Sequence, residues 1–141
     1  MTQFAPQFSD VQVGHVLPAL QLSAVDRTML ALYAGASGDH NQIHIDIDFA
    51  RRARMPDVFA HGMLSAAYLG RLLTLWVPQA QLRSFSMRFV GITQVGHVPH
   101  LTGQVTEKFE ADGEKRVRLS IQCANQYGEA KVIGEAVIAL A

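Results

Sequence analysis

One stretch in the middle of the chain, HGMLSAAYLGRLLTLW at residues 61–76, has apolar side chains on nearly every side. A helix that is apolar all round is normally buried, because no side of it faces water favourably. The small residues Gly62 and Gly70 keep one side slim enough for close packing against a neighbour. The segment predicts one long buried helix, so the rest of the chain has to supply the layer that covers it.

The chain after Pro78 changes to the period of a strand. Phe85, Met87 and Phe89 alternate with polar residues, as in a strand with one wet face. Further strand-like segments follow at residues 101–109, 116–123 and 132–140, separated by turns at residues 112–113 and 125–128. Consecutive strands with short turns predict an antiparallel meander. We therefore expect an α+β fold, a single domain over residues 1–141 in which a curved sheet wraps the central helix.

The first third of the chain predicts smaller elements. A short strand is expected over residues 11–17, followed by a turn at Pro18. Asp26 is a suitable N-cap for a helix that weakens near Gly35 and Gly38. Asp48 is expected to cap a brief helix that runs through Ala53.

The charge balance restricts the kind of partner. The 141 residues are 49% hydrophobic and 17% charged, and twelve basic side chains offset twelve acidic ones. Nucleic-acid binding relies on excess Lys and Arg, so this class is disfavoured. This apolar content is high for a short chain and suggests that part of the surface is buried against a second subunit. We therefore expect a homodimer or a higher homo-oligomer.

A cytoplasmic location is expected from two features. Cys123 is the only cysteine, so it has no partner for an internal disulfide, and it lies in an apolar run typical of a buried thiol. The N-terminal MTQFAPQFSD lacks the basic start and apolar core of a secretion signal, and no segment has eighteen uninterrupted apolar residues.

The segment SGDHNQIH at residues 37–44 concentrates polar groups between two hydrophobic stretches. A surface loop, a metal site or an acid/base pair would each account for it. His40 and His44 have H-x-x-x-H spacing, but Asn41 stands where a zinc protease of that pattern has its glutamate base. A calcium loop would need a ligand oxygen where Ile43 stands. We therefore expect neither a metal nor a cofactor.

An acid/base pair fits the segment better. With ordinary pKa values of about 3.9 and 6.5, Asp39 is an acceptor at neutral pH and His44 gives or takes a proton. Shielded from bulk solvent, the two could hold one water molecule and deprotonate it as it attacks. Asn41 would tie the loop backbone in place. The structural alternatives stay open: Asp39 as the cap of a turn, and His44 as a half-buried side chain bonded to a carbonyl.

Three other polar residues near the segment receive no catalytic role. His40 is expected to be exposed, and Asp46 and Asp48 are expected on the wet side of an extended stretch.

Gly62 begins the apolar helix, where the first amides have no partner within the helix and carry the positive end of its dipole. A glycine there would let a carbonyl oxygen approach the backbone closely and form an oxyanion hole. Close packing of a buried helix would account for the glycine equally well. His61, just before it, is expected to be a structural hydrogen-bond donor.

The two polar segments together resemble the signature of the MaoC-like dehydratase family, which includes the (R)-specific enoyl-CoA hydratases of the hot-dog fold. The family pattern is a small residue, then G-D-x-N-P-[IL]-H, and about one helix later A-H-G-M. This chain has SGDHNQIH at residues 37–44 and AHGM at residues 60–63, and its MRFV at residues 87–90 is similar to the family's R-F strand. It differs at Gln42 and Ile47, where the family usually has prolines.

The resemblance implies a catalytic dyad of Asp39 and His44, with the backbone N–H of Gly62 as the oxyanion donor. The implied reaction adds water to a trans-2-enoyl thioester of coenzyme A or acyl-carrier protein, giving an (R)-3-hydroxyacyl thioester, or runs in reverse. A thioesterase of the same fold class and a non-catalytic acyl-binding subunit remain as alternatives.

The substrate tail is expected to meet apolar side chains along the pocket together with the loop asparagine. These candidate substrate-binding residues are Asn41, Phe59, Met63, Leu64 and Tyr68. The arginines nearest the two motifs could contact a carrier phosphate, although arginines on a short helix more often form a solvated face. They are Arg51, Arg52, Arg54, Arg83 and Arg88.

Overall fold

The computed structural model describes residues 5–141, and its centre is one antiparallel sheet with the strand order β1-β3-β4-β5-β2. The strands are β1 (Leu20–Gln21), β2 (Leu82–Phe89), β3 (His100–Ala111), β4 (Glu114–Ala124) and β5 (Ala130–Leu140). The helices of the described residues are α1 (Arg27–Ser37), α2 (Ile47–Arg52) and α3 (Gly62–Trp76).

The meander is confirmed for β3, β4 and β5, which pair antiparallel in chain order. Asp112 and Gly113, which join β3 to β4, have φ angles of 52° and 75°, the two positive values that a type I′ turn requires. Of the three or four consecutive strands expected in the meander, three are observed, and β2 is not the fourth. The chain crosses over after Phe89, so β2 pairs with β5 at the far edge of the sheet.

Helix α3 is buried against the inner face of the sheet, as its composition predicts. Its buried side chains meet those of β4, where alternate residues point inward. Each large aliphatic side chain buried in this way contributes about 1.5–3 kcal/mol. The principal residues of this core are Leu69, Leu72, Leu73, Val117, Leu119, Ile121 and Ile138. A sheet wrapped around one long helix is the α+β hot-dog arrangement expected from the sequence.

The inward side of β2 is only partly covered. Phe89 and Phe85 point toward α3, since a Cβ on Gly62 would lie 3.0 Å from the Phe89 ring and one on Gly70 would lie 3.7 Å from Phe85. Even so, Phe85 is 37% exposed and Phe89 is 52% exposed. The face of β2 that was expected to be buried therefore remains partly exposed at the edge of the sheet.

Residues 11–17 do not form the predicted strand. The segment runs beside β3 without regular pairing, and Val16 makes an isolated bridge to Gln104. Val11 and Leu17 are nevertheless 1% and 2% exposed, whereas Val16 is 61% exposed. The segment is joined to β3 by the hydrogen bond from Leu17 N to Gly103 O (2.9 Å).

The helix caps confirm one expectation and correct another. Asp26 caps α1 by accepting a 2.7 Å hydrogen bond from Met29 N. Helix α2 is capped by Asp46, which accepts from Asp48 N at 2.8 Å and from Phe49 N at 3.3 Å, so the prediction of Asp48 as the cap is wrong. An N-cap residue lies just before the helix and has extended backbone angles. Asp46 has this conformation, whereas Asp48 lies within the first turn of α2.

No helix in residues 5–141 has the length and apolar character needed to cross a membrane.

Candidate active site

The loop after α1 is shaped by a left-handed glycine and a series of short hydrogen bonds. Gly38 closes the helix with φ 74°, and the chain then reverses at Asp39, which is exposed. Asp39 Oδ1 accepts from Asn41 N at 3.2 Å, and Asn41 Oδ1 accepts from Ile43 N at 3.1 Å. These consecutive Asx turns fix the loop without the proline that the family pattern has at Gln42.

One ring nitrogen of His44 is hydrogen-bonded to the backbone, and the other is available to accept a proton. Its Nδ1 lies 2.7 Å from the carbonyl oxygen of Phe59, and a carbonyl only accepts, so Nδ1 carries the proton. The Nε2 lone pair is thereby left to accept a proton. Burial lowers the pKa of His44, and the neighbouring His61 lowers it further, against the opposing effects of the Phe59 hydrogen bond and Asp39.

The predicted pair is brought together. Asp39, His44 and His61 each offer one ligand-type atom, and all three atoms lie within 4.8 Å of one another. One water molecule with hydrogen bonds of about 2.8 Å bridges two groups at such a separation. The Asp39 carboxylate and the His44 imidazole are therefore close enough to hold the same water.

His61 joins this cluster from the start of α3. It is 1% exposed, and its Nε2 donates to the backbone carbonyl of Asp39 at 3.1 Å. Its ring stacks on His44 with centroids 3.9 Å apart, and Tyr33 packs against its edge at 4.9 Å. Burial raises the pKa of the Tyr33 hydroxyl, and the Asp39 carboxylate raises it further. Sequence reasoning gave His61 a structural donor role but did not foresee its contact with His44.

A metal ion could not use the two histidines of the H-x-x-x-H pattern as a pair of ligands. His40 is exposed and is not part of the trio. Within the trio, His44 Nδ1 and His61 Nε2 already hold protons that they donate to carbonyl oxygens, so each ring has a single nitrogen left for a ligand bond.

Gly62 is the first residue of α3, so its N–H has no acceptor within the helix. It lies on the wall of a cavity of about 180 Å³ between the start of α3 and the end of β2. The cavity is mostly apolar, with hydroxyl groups from Ser65 and Thr93, and its lining is Phe59, Ala60, Gly62, Ser65, Phe89, Gly91, Ile92, Thr93 and Val132. A wider hollow of about 430 Å³ on the outer face of the sheet contains none of these residues.

The five residues predicted to bind substrate are divided between the cavity, the loop and the core. Phe59 lines the cavity and also holds His44 through its carbonyl. Asn41 is occupied with the loop backbone. Leu64 is buried in a cluster with Leu30 of α1 and Ala50 of α2, and the Tyr68 hydroxyl donates to Met29 Sδ at 3.0 Å. Neither residue lines the cavity. Met63 is 58% exposed.

Sequence reasoning missed several cavity residues. Ser65 follows Gly62 at helical spacing on α3, so its position could have been inferred. Phe89 was recognised only as the dry side of a strand. Thr93 is 7% exposed in the connection before β3, where its carbonyl accepts from Ala60 N at 2.9 Å. No local pattern marks that contact.

The candidate phosphate-binding arginines lie on the surface. Arg51, Arg52 and Arg54 are exposed around the end of α2, and Arg88 is exposed on β2. Arg83 is engaged with Glu114 through hydrogen bonds of 2.7 and 2.8 Å, which leaves it less available to a ligand.

Comparison with known proteins identifies the family to which this chain belongs. Residues 11–126 match the model of the MaoC like domain. The chain belongs to this hydratase/dehydratase family, as the two sequence motifs predicted.

Individual relatives agree with the family at modest identity. The chain is 29% identical over 118 residues to the fatty acid synthase subunit beta of Saccharomyces cerevisiae, covering 76% of this chain and 6% of that subunit. It therefore spans only a small part of that subunit. It is 28% identical over 133 residues to the (R)-specific enoyl-CoA hydratase of Rhodospirillum rubrum, covering 93% of this chain and 89% of that enzyme.

A solved structure gives the same result. The unliganded R-hydratase PhaJ1 of Pseudomonas aeruginosa superposes with a TM-score of 0.82 at 28% identity, covering 95% of this chain and 85% of that one.

Proposed function

We propose that this protein is a hydro-lyase that adds water to trans-2-enoyl thioesters to give (R)-3-hydroxyacyl thioesters, or catalyses the reverse dehydration. The observation that carries the proposal is that ligand-type atoms of Asp39 and His44 lie within 4.8 Å of each other, a separation that one water molecule can bridge. The names of the hydratase relatives support the substrate class and the stereochemistry.

In the proposed reaction His44 Nε2 is the base, because Nδ1 already donates to Phe59. The water donates one hydrogen bond to Nε2 and one to the Asp39 carboxylate, which leaves an oxygen lone pair directed at the substrate. As the C–O bond forms at the β-carbon, the water proton passes to His44 Nε2, and the electron pair of the Cα–Cβ double bond moves toward the thioester oxygen. Nε2 then returns that proton to the α-carbon on the same face, which leaves His44 neutral again.

The negative charge that develops on the thioester oxygen is assigned to the backbone N–H of Gly62. That amide lies at the positive end of the α3 dipole and on the cavity wall, so it is oriented before the reaction begins. The reaction transfers only water and protons, so the proposal assigns no metal and no cofactor.

The acyl part is assigned to the cavity beside Gly62, with Phe59 as its contact near the dyad. Met63 is exposed one residue beyond Gly62 and would contact the substrate at the entrance. Leu64 and Tyr68 would act indirectly, by fixing α3 against α1, and Asn41 by fixing the loop. The thioester carrier is coenzyme A or acyl-carrier protein.

The proposal includes a homodimer formed along β2. This strand is at the edge of the sheet, and exposed edges favour pairing with another chain. On this strand the apolar side chains of Phe85 and Phe89 are 37% and 52% exposed. We also retain the single domain over residues 1–141 and a cytoplasmic location, with which the buried free thiol of Cys123 is in keeping.

The test is turnover of crotonyl-CoA, followed by the loss of enoyl absorbance and by chiral analysis of the product. Asp39→Asn and His44→Ala should each lower kcat by about 10²–10⁴-fold, because each removes a partner in proton transfer. His40→Ala is the matched control, since His40 is an exposed histidine of the same loop and should leave turnover unchanged. Circular dichroism checks that each variant keeps the fold.

The same assay distinguishes the alternatives. Release of free thiol from saturated acyl-CoA would identify a thioesterase instead. Binding of enoyl-CoA without turnover, unchanged in the Asp39 and His44 variants, would identify a non-catalytic acyl-binding protein.

A further inference from the structure

His61 contacts every part of the site assigned above. Its Nε2 donates to the carbonyl of Asp39, its ring lies on the ring of His44, and its own backbone continues into Gly62. It is 1% exposed, so these contacts are made without competition from solvent. One side chain therefore links the carboxylate loop, the imidazole and the helix start.

The protonation of His61 follows from its surroundings. Because a carbonyl only accepts, the contact with Asp39 O places the proton on Nε2. Its Nδ1 is buried without a hydrogen-bond partner among the described residues. When the ring carries a single proton, that proton is therefore on Nε2.

We propose that His61 is a positioning residue of this site, which fixes Asp39 through its backbone carbonyl and orients His44 by stacking against its ring. This role rests on the proposed function. His61 touches neither the substrate nor the water in this scheme, and it acts by holding the dyad at a constant distance from the Gly62 amide. A displacement of about 1 Å in such a group lowers turnover by about 10²-fold.

A second effect of the stack is on the protonation of His44. Two imidazoles whose centroids are 3.9 Å apart do not readily both carry charge. The presence of His61 accordingly lowers the pKa of His44, in addition to the larger effect of burial. The titratable groups that face the two rings are Asp39 from the loop and Tyr33 from α1.

Two substitutions separate the hydrogen bond from the ring. His61→Phe keeps an aromatic ring against His44 but has no donor for Asp39, whereas His61→Gln keeps a donor at the position of Nε2 but has no ring. We expect His61→Phe to lower kcat for crotonyl-CoA by about 10²-fold with KM within about threefold. His61→Gln should recover part of that loss. In both variants the acidic limb of kcat/KM should move to higher pH, because the second imidazole is gone.

A residue needed only for folding would behave differently. Equal losses in the two variants, in proportion to a lowered Tm and with the acidic limb unmoved, would overturn the positioning role. His40→Gln is the control for introducing glutamine, and it should match the wild type in both rate and pH profile.

A measurement on the wild-type protein covers the case in which the variants do not fold. Nitrogen-15 NMR of labelled histidines at about pH 8 should show the ring proton of His61 on Nε2, where the carbonyl of Asp39 accepts it. A proton on Nδ1 would contradict the proposal. Absence of wild-type turnover counts against the proposed function alone, whereas the wrong His61 tautomer counts against the positioning role alone.

Discussion

One backbone carbonyl determines both the orientation and the tautomer of the His44 imidazole. The contact with Phe59 O fixes both the ring orientation and the tautomer, so Nε2 is the only nitrogen able to accept a proton. The partial burial of the ring then favours its neutral form. A neutral imidazole is the form a general base needs, so the same environment that packs His44 also prepares it for the proposed chemistry.

The pH dependence of turnover follows from this environment. Because burial lowers the pKa of His44, its neutral form persists below the ordinary value of about 6.5. The acidic limb of kcat/KM for hydration should therefore lie below about pH 6.5. The lowered pKa also makes the free energy of unfolding depend on pH. The stabilising contribution of His44 is present above its unfolded pKa and is lost as pH falls through its folded pKa. A limb clearly above 6.5 would contradict this assignment.

A methyl group at Gly62 tests the close approach to its amide. A Cβ there would lie 3.0 Å from the Phe89 ring, and a small rotation of that side chain relieves the contact, so Gly62→Ala should fold with little loss of stability. The methyl group would narrow the cavity at the amide, and we expect kcat to fall by about 10–10²-fold.

Gly70→Ala is the matched control on the same helix, because its Cβ would make an ordinary 3.7 Å contact with Phe85. Equal activity of the Gly62 and Gly70 variants would remove the oxyanion assignment.

Among the elements, the short helix α2 shows how one carboxylate sets a boundary. Asp46 satisfies two amides at the start of α2, from Asp48 and Phe49, and Asp46 lies two residues after His44. Its cap therefore stabilises the segment that immediately follows the candidate base. Asp48 also favours the helix start, but only through its charge near the positive end of the dipole.

Asp46→Ala and Asp48→Ala form a matched pair for this point. We expect Asp46→Ala to lower the free energy of unfolding by about 1 kcal/mol, because two amides lose their acceptor. Asp48→Ala should lower it by about 0.3 kcal/mol. Urea unfolding of both variants measures the difference, and a larger loss for Asp48→Ala would restore the capping role that the sequence had suggested for it.

At the scale of the whole molecule, the incomplete cover of β2 is the feature that calls for a partner. The strand pairs with β5 on one side only, and Phe85 and Phe89 are partly exposed on its inner face. Tyr127 is also exposed, but it lies in the turn before β5 and outside β2.

Phe85→Glu should convert the proposed dimer to a monomer, because a carboxylate would be buried in an apolar contact without a counter-charge. Light scattering after size exclusion measures the mass. Tyr127→Glu, at a side chain that is 74% exposed, should leave the dimer intact. A wild-type protein that is monomeric at micromolar concentration would refute this mode of assembly.

The sequence by itself determined the features that depend on residues close together in the chain. The burial of α3, the strands β3 to β5 and the N-cap at Asp26 follow from periodicity and from capping over a few residues. The spacing of Asp39 and His44 also belongs here, since one tight loop holds both.

Only the tertiary structure decided which distant segments meet. It placed β2 beside β5, Phe59 O against His44, and His61 beneath the same imidazole, joining residues that are 15 or more positions apart. Residues 11–17 were misread because only two of their four apolar side chains, Val11 and Leu17, are buried, and the segment bonds to β3 without regular strand pairing. Local patterns record which side of a segment is buried, whereas packing of the whole chain selects the segment that buries it.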